Sequence, residues 1–392
     1  MIPDEYKIND TRDVSELSKK SFSGFAIKDV VVVLTKCLTN CKIEEAVNWS
    51  IELLLSGQTE KLWEKIFNIA LKNININNPK LPLILYTRYS KFVNLKLKYC
   101  GNVKTNSSAN FLALRNSQAV RNMICEMCVI ICNSTKLKAI SLTKIKESDF
   151  ELSFIKTKLV ATEANIIQNK LKYGDPNELK IPLNEFNFCL KTRKWELAIY
   201  WLSWIFEWER RNTTKNKQFI CGIRKIEGVE EKYWTDIVWI IWEIILKEAP
   251  YLKNNDALNQ IHALFKLYKF DFKSTKKTKR VFFILYAIKY FTEIYNFKND
   301  IIPNYYQLIQ ACGNINILFY DKKKYQVNKL LKVEQKKLYT NVKQKAQSEE
   351  EKRLEKAKLK RLKEIAEQKI QRKITKVEMI DSMILSSDKN KQ

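Results

Sequence analysis

Cys125-Glu-Met-Cys128, followed by Cys132, has the spacing that could bring three thiolates onto one helical face, as a zinc ion requires. A structural zinc site sets its CxxC on a turn and closes the coordination with a second pair. Here RNMICEMCVIIC (121–132) is an apolar helical pattern without Gly or Pro, and no second pair exists, so these cysteines read as small core residues. His262 is the only histidine, which excludes a two-histidine metal site, H-E-x-x-H and a histidine-based triad. It lies in ALNQIHALFKLY and reads as a packing or capping residue. No GxxxxGK[ST] occurs, and seven scattered glycines cannot build a phosphate cradle. Glu44 and Glu45 read as first-turn acids of a helix, and Glu349, Glu350 and Glu351 as a solvated run. No catalytic residue, cofactor or metal is assigned, and the chain is expected not to be an enzyme.

Positive charge is the remaining chemistry. The formal net charge is +27, and polyanions are the usual partners of such a field. KSTKKTKR (273–280) places Lys273, Lys276, Lys277, Lys279 and Arg280 directly before an apolar helix, where N-terminal amides and lysines can share a phosphate. The other reading of that run is a loop whose lysines stay wet. A second basic stretch, 87–108, carries Arg88, Lys91, Lys96, Lys98 and Lys104, and Tyr86, Tyr89, Phe270 and Phe272 flank the two. The C-terminal stretch from Lys322 to Lys376 holds 20 Lys or Arg against 7 Asp or Glu, a net of +13. Its candidate contact residues are Lys322, Lys323, Lys324, Lys358, Lys360, Arg361, Lys363, Arg372 and Lys373. No base-reading motif accompanies them, so contacts should be to the backbone of nucleic acid, DNA foremost, and sensitive to salt. An acidic protein surface is the alternative partner.

The elements that would position these groups are helices. The few glycines and prolines disfavour sheets, no period-two alternation is sustained, and Ala46, Trp49, Leu53 and Leu54 recur at helical spacing. The chain also resembles itself. CLTNCKIEEAVNW (37–49) matches CLKTRKWELAIYW (189–201) at an offset of 152, aligning Trp49 with Trp201. KLWEKIFNI (61–69) lies against KYWTDIVWI (232–240), aligning Trp63 with Trp234, and RNMICEMCVIIC against RVFFILYAIKYF (280–291). The expected organisation is all-α: an N-terminal extension (1–24), helical unit 1 (25–140), a connector (141–177), helical unit 2 (178–320) and a basic helical or coiled-coil tail (321–392). As one helix, Lys322 to Lys376 would reach about 80 Å. The nine cysteines with no secretory signal before them point to reduced thiols in an intracellular setting, and no apolar run is long enough to insert in a membrane.

The string from Glu44 to Pro79, E-E-A-x-x-W-x-x-E-L-x-x-S-G-x-x-x-x-L-W-x-x-I-x-x-I-A-x-x-x-I-x-x-x-x-P, resembles the helical C-terminal region of the replication-associated recombination ATPases typified by RarA (MgsA), AAA+ relatives of the clamp loaders. The likeness implies a helical, oligomerising domain working at replication forks, hence a possible homo-oligomer. This chain has no Walker A, Walker B or arginine finger, so ATPase activity is not carried over. Its composition, rich in Lys, Asn and Ile, is similar to that of proteins of large cytoplasmic DNA viruses. Together these features lead to an expected nucleic-acid-associated scaffold in viral DNA replication, packaging or core organisation, in the host cytoplasm, viral factory or virion. The alternative is a minor structural virion protein whose tail helix makes protein contacts.

Overall fold

The computed structural model describes residues 2–10, 12, 14–101, 108–213, 220–302 and 304–326, and in the tail 352–354, 356–358, 360–361, 363–364 and 367. Arg372 and Lys373 lie outside the described residues, as does Lys104. The described residues are helical apart from turns and loops, with no strand and one isolated bridge between Lys20 and Ala26. Two compact units are present, residues 1–326 and 327–392.

The first unit begins with α1 (Ile27–Thr39), α2 (Ile43–Leu55), α3 (Thr59–Ile69), α4 (Leu81–Cys100), α5 (Ser108–Arg115) and α6 (Gln118–Asn133). It continues with α7 (Leu152–Lys158), α8 (Lys180–Lys191), α9 (Trp195–Asn212), α10 (Val238–Glu248), α11 (Asn255–Lys269), α12 (Val281–Thr292) and α13 (Tyr305–Lys323). Pro82 fits α4 because it sits in the first turn, where its missing N–H has no intrahelical partner to lose. Ser56 and Gly57 end α2 as their types suggest. Gly57 adopts φ +73°, and a Cβ there would lie 2.8 Å from both Cγ atoms of Val14.

Two helix hairpins have the same connection. The α1–α2 turn runs through Cys41 at φ 60° and the α8–α9 turn through Arg193 at φ 59°, a conformation uncommon for residues other than glycine. In the first, the Lys42 amide donates to Cys37 O at 2.9 Å; in the second, the Lys194 amide donates to Cys189 O at 2.9 Å. Ala46 and Ala198 are both fully buried where the hairpins close. Packing follows the same scheme around each hairpin: α1 meets α3 and α6, and α2 meets α6; α8 meets α10 and α12, and α9 meets α12. The α4 and α11 helices pack on one another. The second sequence match does not carry over. Trp63 lies inside α3, whereas Trp234 follows a 3-10 turn (Glu231–Tyr233) and α10 starts only at Val238. The Trp234 Nε1–H is tied to Val229 O at 3.0 Å, so the long insertion before it holds this segment as a loop. The aligned tryptophans also differ in depth: Trp201 is buried, and Trp49 is half-buried beside Phe25.

The core takes in the segments expected to flank it. Ile8 and Phe22 of the N-terminal stretch are buried, and Arg224 of the insertion holds Asp175 of the KYGDP turn at 2.7 Å. The tail boundary shifts as well. Asp321 to Lys323 form the last turn of α13, which packs on α2 and α6 through buried Ile315 and Phe319. The described tail residues are helical and exposed, and the rest of the expected long helix lies outside the described residues. All nine cysteines are free. His262, expected among packed residues, instead faces outward on α11 one turn before Lys266; burial first, then Lys266, lowers its pKa. No described helix is long and apolar enough to cross a membrane.

Candidate polyanion-binding surface

The run 273–280 folds as two 3-10 turns that feed α12, and three of its five cations are committed internally. Lys277 is inserted between Glu209, at 2.5 Å, and Asp236, at 3.0 Å, with only 12% of its side chain exposed. Burial opposes its charge, but the two carboxylates outweigh that and raise its pKa. The Arg280 guanidinium donates to the carbonyls of Tyr268 and Phe270, both at 2.6 Å, and Lys276 pairs with Asp271 at 2.5 Å. Lys273 and Lys279 reach solvent. The second basic stretch lies on α4, where Arg88 is clamped by Glu126 at 2.5 and 2.7 Å and Lys96 faces Glu60 at 3.5 Å. Lys91 and Lys98 are both exposed on the same helix. Tyr89 and Phe270 join the two stretches, their ring centroids 5.1 Å apart.

At the end of α13, Lys322 is not a surface cation. Its ammonium is 2.8 Å from the fully buried carboxylate of Glu52, so it is withdrawn from any phosphate-facing role, as is Lys277. Lys323 donates to Glu5 O at 2.8 Å, and Lys324 is exposed. In the tail, Lys358, Lys360, Arg361 and Lys363 are helical and exposed.

A different set of lysines converges. Lys19 and Lys28, from the entry to α1, and Lys61 and Lys65, from α3, rim a groove of about 570 Å³ floored by Ala26, Ile27 and Val31. Among the described residues, Glu64 is the only acid lining it. Farther along, Lys72 lies 3.9 Å from the ring of Phe282, three residues beyond Lys279. Burial, then the nearby charge of Lys65, lowers the Lys72 pKa, and Glu64 only partly offsets this. Cations held close without matching carboxylates leave a local positive potential that an anion would relieve. Their separation in sequence hid them: they come from three separate stretches, and only the packing of α1 against α3 and of Lys72 against α12 gathers them.

No comparable chemistry gathers around sulfur. Cys125, Cys128 and Cys132 are buried, with Cys128 Sγ 3.1 Å from Ser50 Oγ, and burial pushes the Cys128 thiol up to about 12. Among the described residues, no group of three or more His, Cys, Asp or Glu is placed to hold a metal ion. Comparison of the chain with family models, with curated proteins and with solved structures gives no match.

Proposed function

We propose that this chain is a non-enzymatic helical scaffold that holds the phosphate backbone of nucleic acid, DNA in the first place, in DNA replication, packaging or core organisation of a large DNA virus. The observation that carries the reading is the groove in which Lys19, Lys28, Lys61 and Lys65 oppose a single glutamate. A phosphodiester chain can replace the missing counter-charges there without any base being read. The wet lysines 273 and 279 and the exposed cations of the tail add to the positive charge of the chain. The two hairpins with a shared turn are read as copies of one duplicated unit, which supports a platform role, as does the likeness of residues 44–79 to the clamp-loader clade. The exposed apolar face of α13 favours a second reading, a minor virion scaffold making protein contacts.

Fluorescence anisotropy of the full chain with a labelled duplex tests the proposal. With four or five phosphates contacted, affinity should fall about 10²-fold between 50 and 200 mM salt. The double reversal Lys61→Glu with Lys65→Glu should weaken binding and flatten that salt dependence. A cut after Gln326 should remove most of the remaining affinity, and unlike a cut at 322 it spares the Lys322–Glu52 pair. Binding that is absent at low salt, or indifferent to it, would overturn the reading.

A further inference from the structure

On a chain of charge +27, α13 presents a face with no charged residue from Asn304 to Tyr320. Its exposed large side chains include Tyr306 (70%), Ile309 (59%), Ile317 (52%) and Tyr320 (53%). Gly313 lies midway, and a Cβ there would meet nothing within 4 Å. Counted from Gly313, the isoleucines stand at four residues either side and the tyrosines at seven. At 100° per residue all five fall within an arc of about 80°, along roughly 21 Å of helix.

The stripe therefore reads the same in both directions. A two-fold axis through Gly313 demands just this, because an isologous contact sets each residue against its mirror position. From this symmetry we infer that α13 is the docking face for a second copy of the chain, packed antiparallel. Tyr306 then meets Tyr320 of the other copy, Ile309 meets Ile317, and the absence of a side chain at Gly313 lets the helix axes approach closely. One charge supports this register, although Lys323 and Lys324 follow it at the same end. Asp321, exposed just beyond the stripe, falls beside the first turn of the other α13, where a carboxylate is favoured by the helix N-terminus. The face lies outside the residues that resemble the clamp-loader clade. A two-helix contact about 28 Å long and 10 Å wide covers roughly 300 Å² per copy, less than stable dimers bury, so the dimer should be micromolar.

Sedimentation velocity of the full chain between about 1 and 100 µM should show a monomer–dimer equilibrium in that range. Ile309→Glu with Ile317→Glu, at exposed positions, should leave circular dichroism unchanged and abolish the dimer. In a Cys41→Ser background, Tyr306→Cys mixed with Tyr320→Cys should cross-link on oxidation, while Tyr306→Cys alone should not. Three results with the full chain would overturn the inference: a monomer throughout, a dimer indifferent to the glutamates, or Tyr306→Cys linking to itself as in a parallel pair. Dimerisation appearing only after a cut at Gln326 would also do so, since the tail would then be what covers the face. None of these readouts depends on nucleic acid, so this inference and the DNA-binding proposal can fail separately.

Discussion

Replacing Lys322 by methionine isolates the contact that fastens α13 to the core. Glu52 is fully buried, and its carboxylate accepts from Ser21 Oγ (2.5 Å), the Ser23 amide (2.6 Å), Ser23 Oγ (2.8 Å) and Lys322 Nζ (2.8 Å). Burial alone would raise its pKa; the charge and hydrogen bond of Lys322, with the serine donors, outweigh burial and hold it below the usual 4.5. Lys322→Met strands that carboxylate, a change that costs about 3–5 kcal/mol at neutral pH. The urea midpoint should fall by about 1 M or more, and α13 amides should lose hydrogen-exchange protection. The pH dependence has a definite sign. In the native chain the depressed pKa stabilises above the unfolded value of 4.5, and that contribution is lost as pH falls through the lower folded value. In the variant, only the serine donors still oppose burial, so the Glu52 pKa rises relative to the native chain; the deficit is full at pH 7 and shrinks as acid neutralises the carboxylate. Adding Glu52→Gln should restore most of the loss, because the serines still have an acceptor and no charge is left unpaired. A Lys322→Met variant within about 0.5 kcal/mol of the native chain at pH 7, or a deficit that grows in acid, would refute this reasoning.

The basic run offers a sharper contrast within three residues. Lys277→Met should cost about 3–5 kcal/mol in urea unfolding, because Glu209 and Asp236 are left facing each other, whereas Lys279→Ala should change stability by under about 0.5 kcal/mol. If the DNA proposal holds, Lys279→Ala should instead weaken duplex binding a few-fold and reduce its salt dependence. Thiol accessibility gives an independent check on packing: with a chromogenic disulfide reagent at pH 8, exposed Cys41 should react promptly. Buried Cys125, Cys128, Cys132 and Cys189 should react only after denaturation.

What could be read from the sequence was what is local. Ala46 and Trp49 share a face because helical periodicity is written in consecutive residues, and CLTNCK and CLKTRK encode one turn because its hydrogen bonds span six residues. The tail boundary was misplaced for the converse reason. Charge rises at Asp321, yet the helix continues to Lys323, because Phe319 is buried and Lys322 finds its carboxylate 270 residues earlier in sequence. Residue type cannot tell Lys277 from Lys279: one is enclosed by Glu209 and Asp236, 68 and 41 residues away, and the other is wet. The groove lysines stayed invisible through the same nonlocality acting in reverse, since segments near residues 19–28 and 61–65 meet where few acids follow them. A dense run of cations tends to recruit its own carboxylates as the chain packs, since burying any of them unpaired costs several kcal/mol. Lysines that stay at the rim escape that demand and keep their field. On the DNA proposal the sparse groove should therefore matter more than the dense run at 273–280, and neutralising Lys61 and Lys65 should weaken duplex binding more than neutralising Lys273 and Lys279.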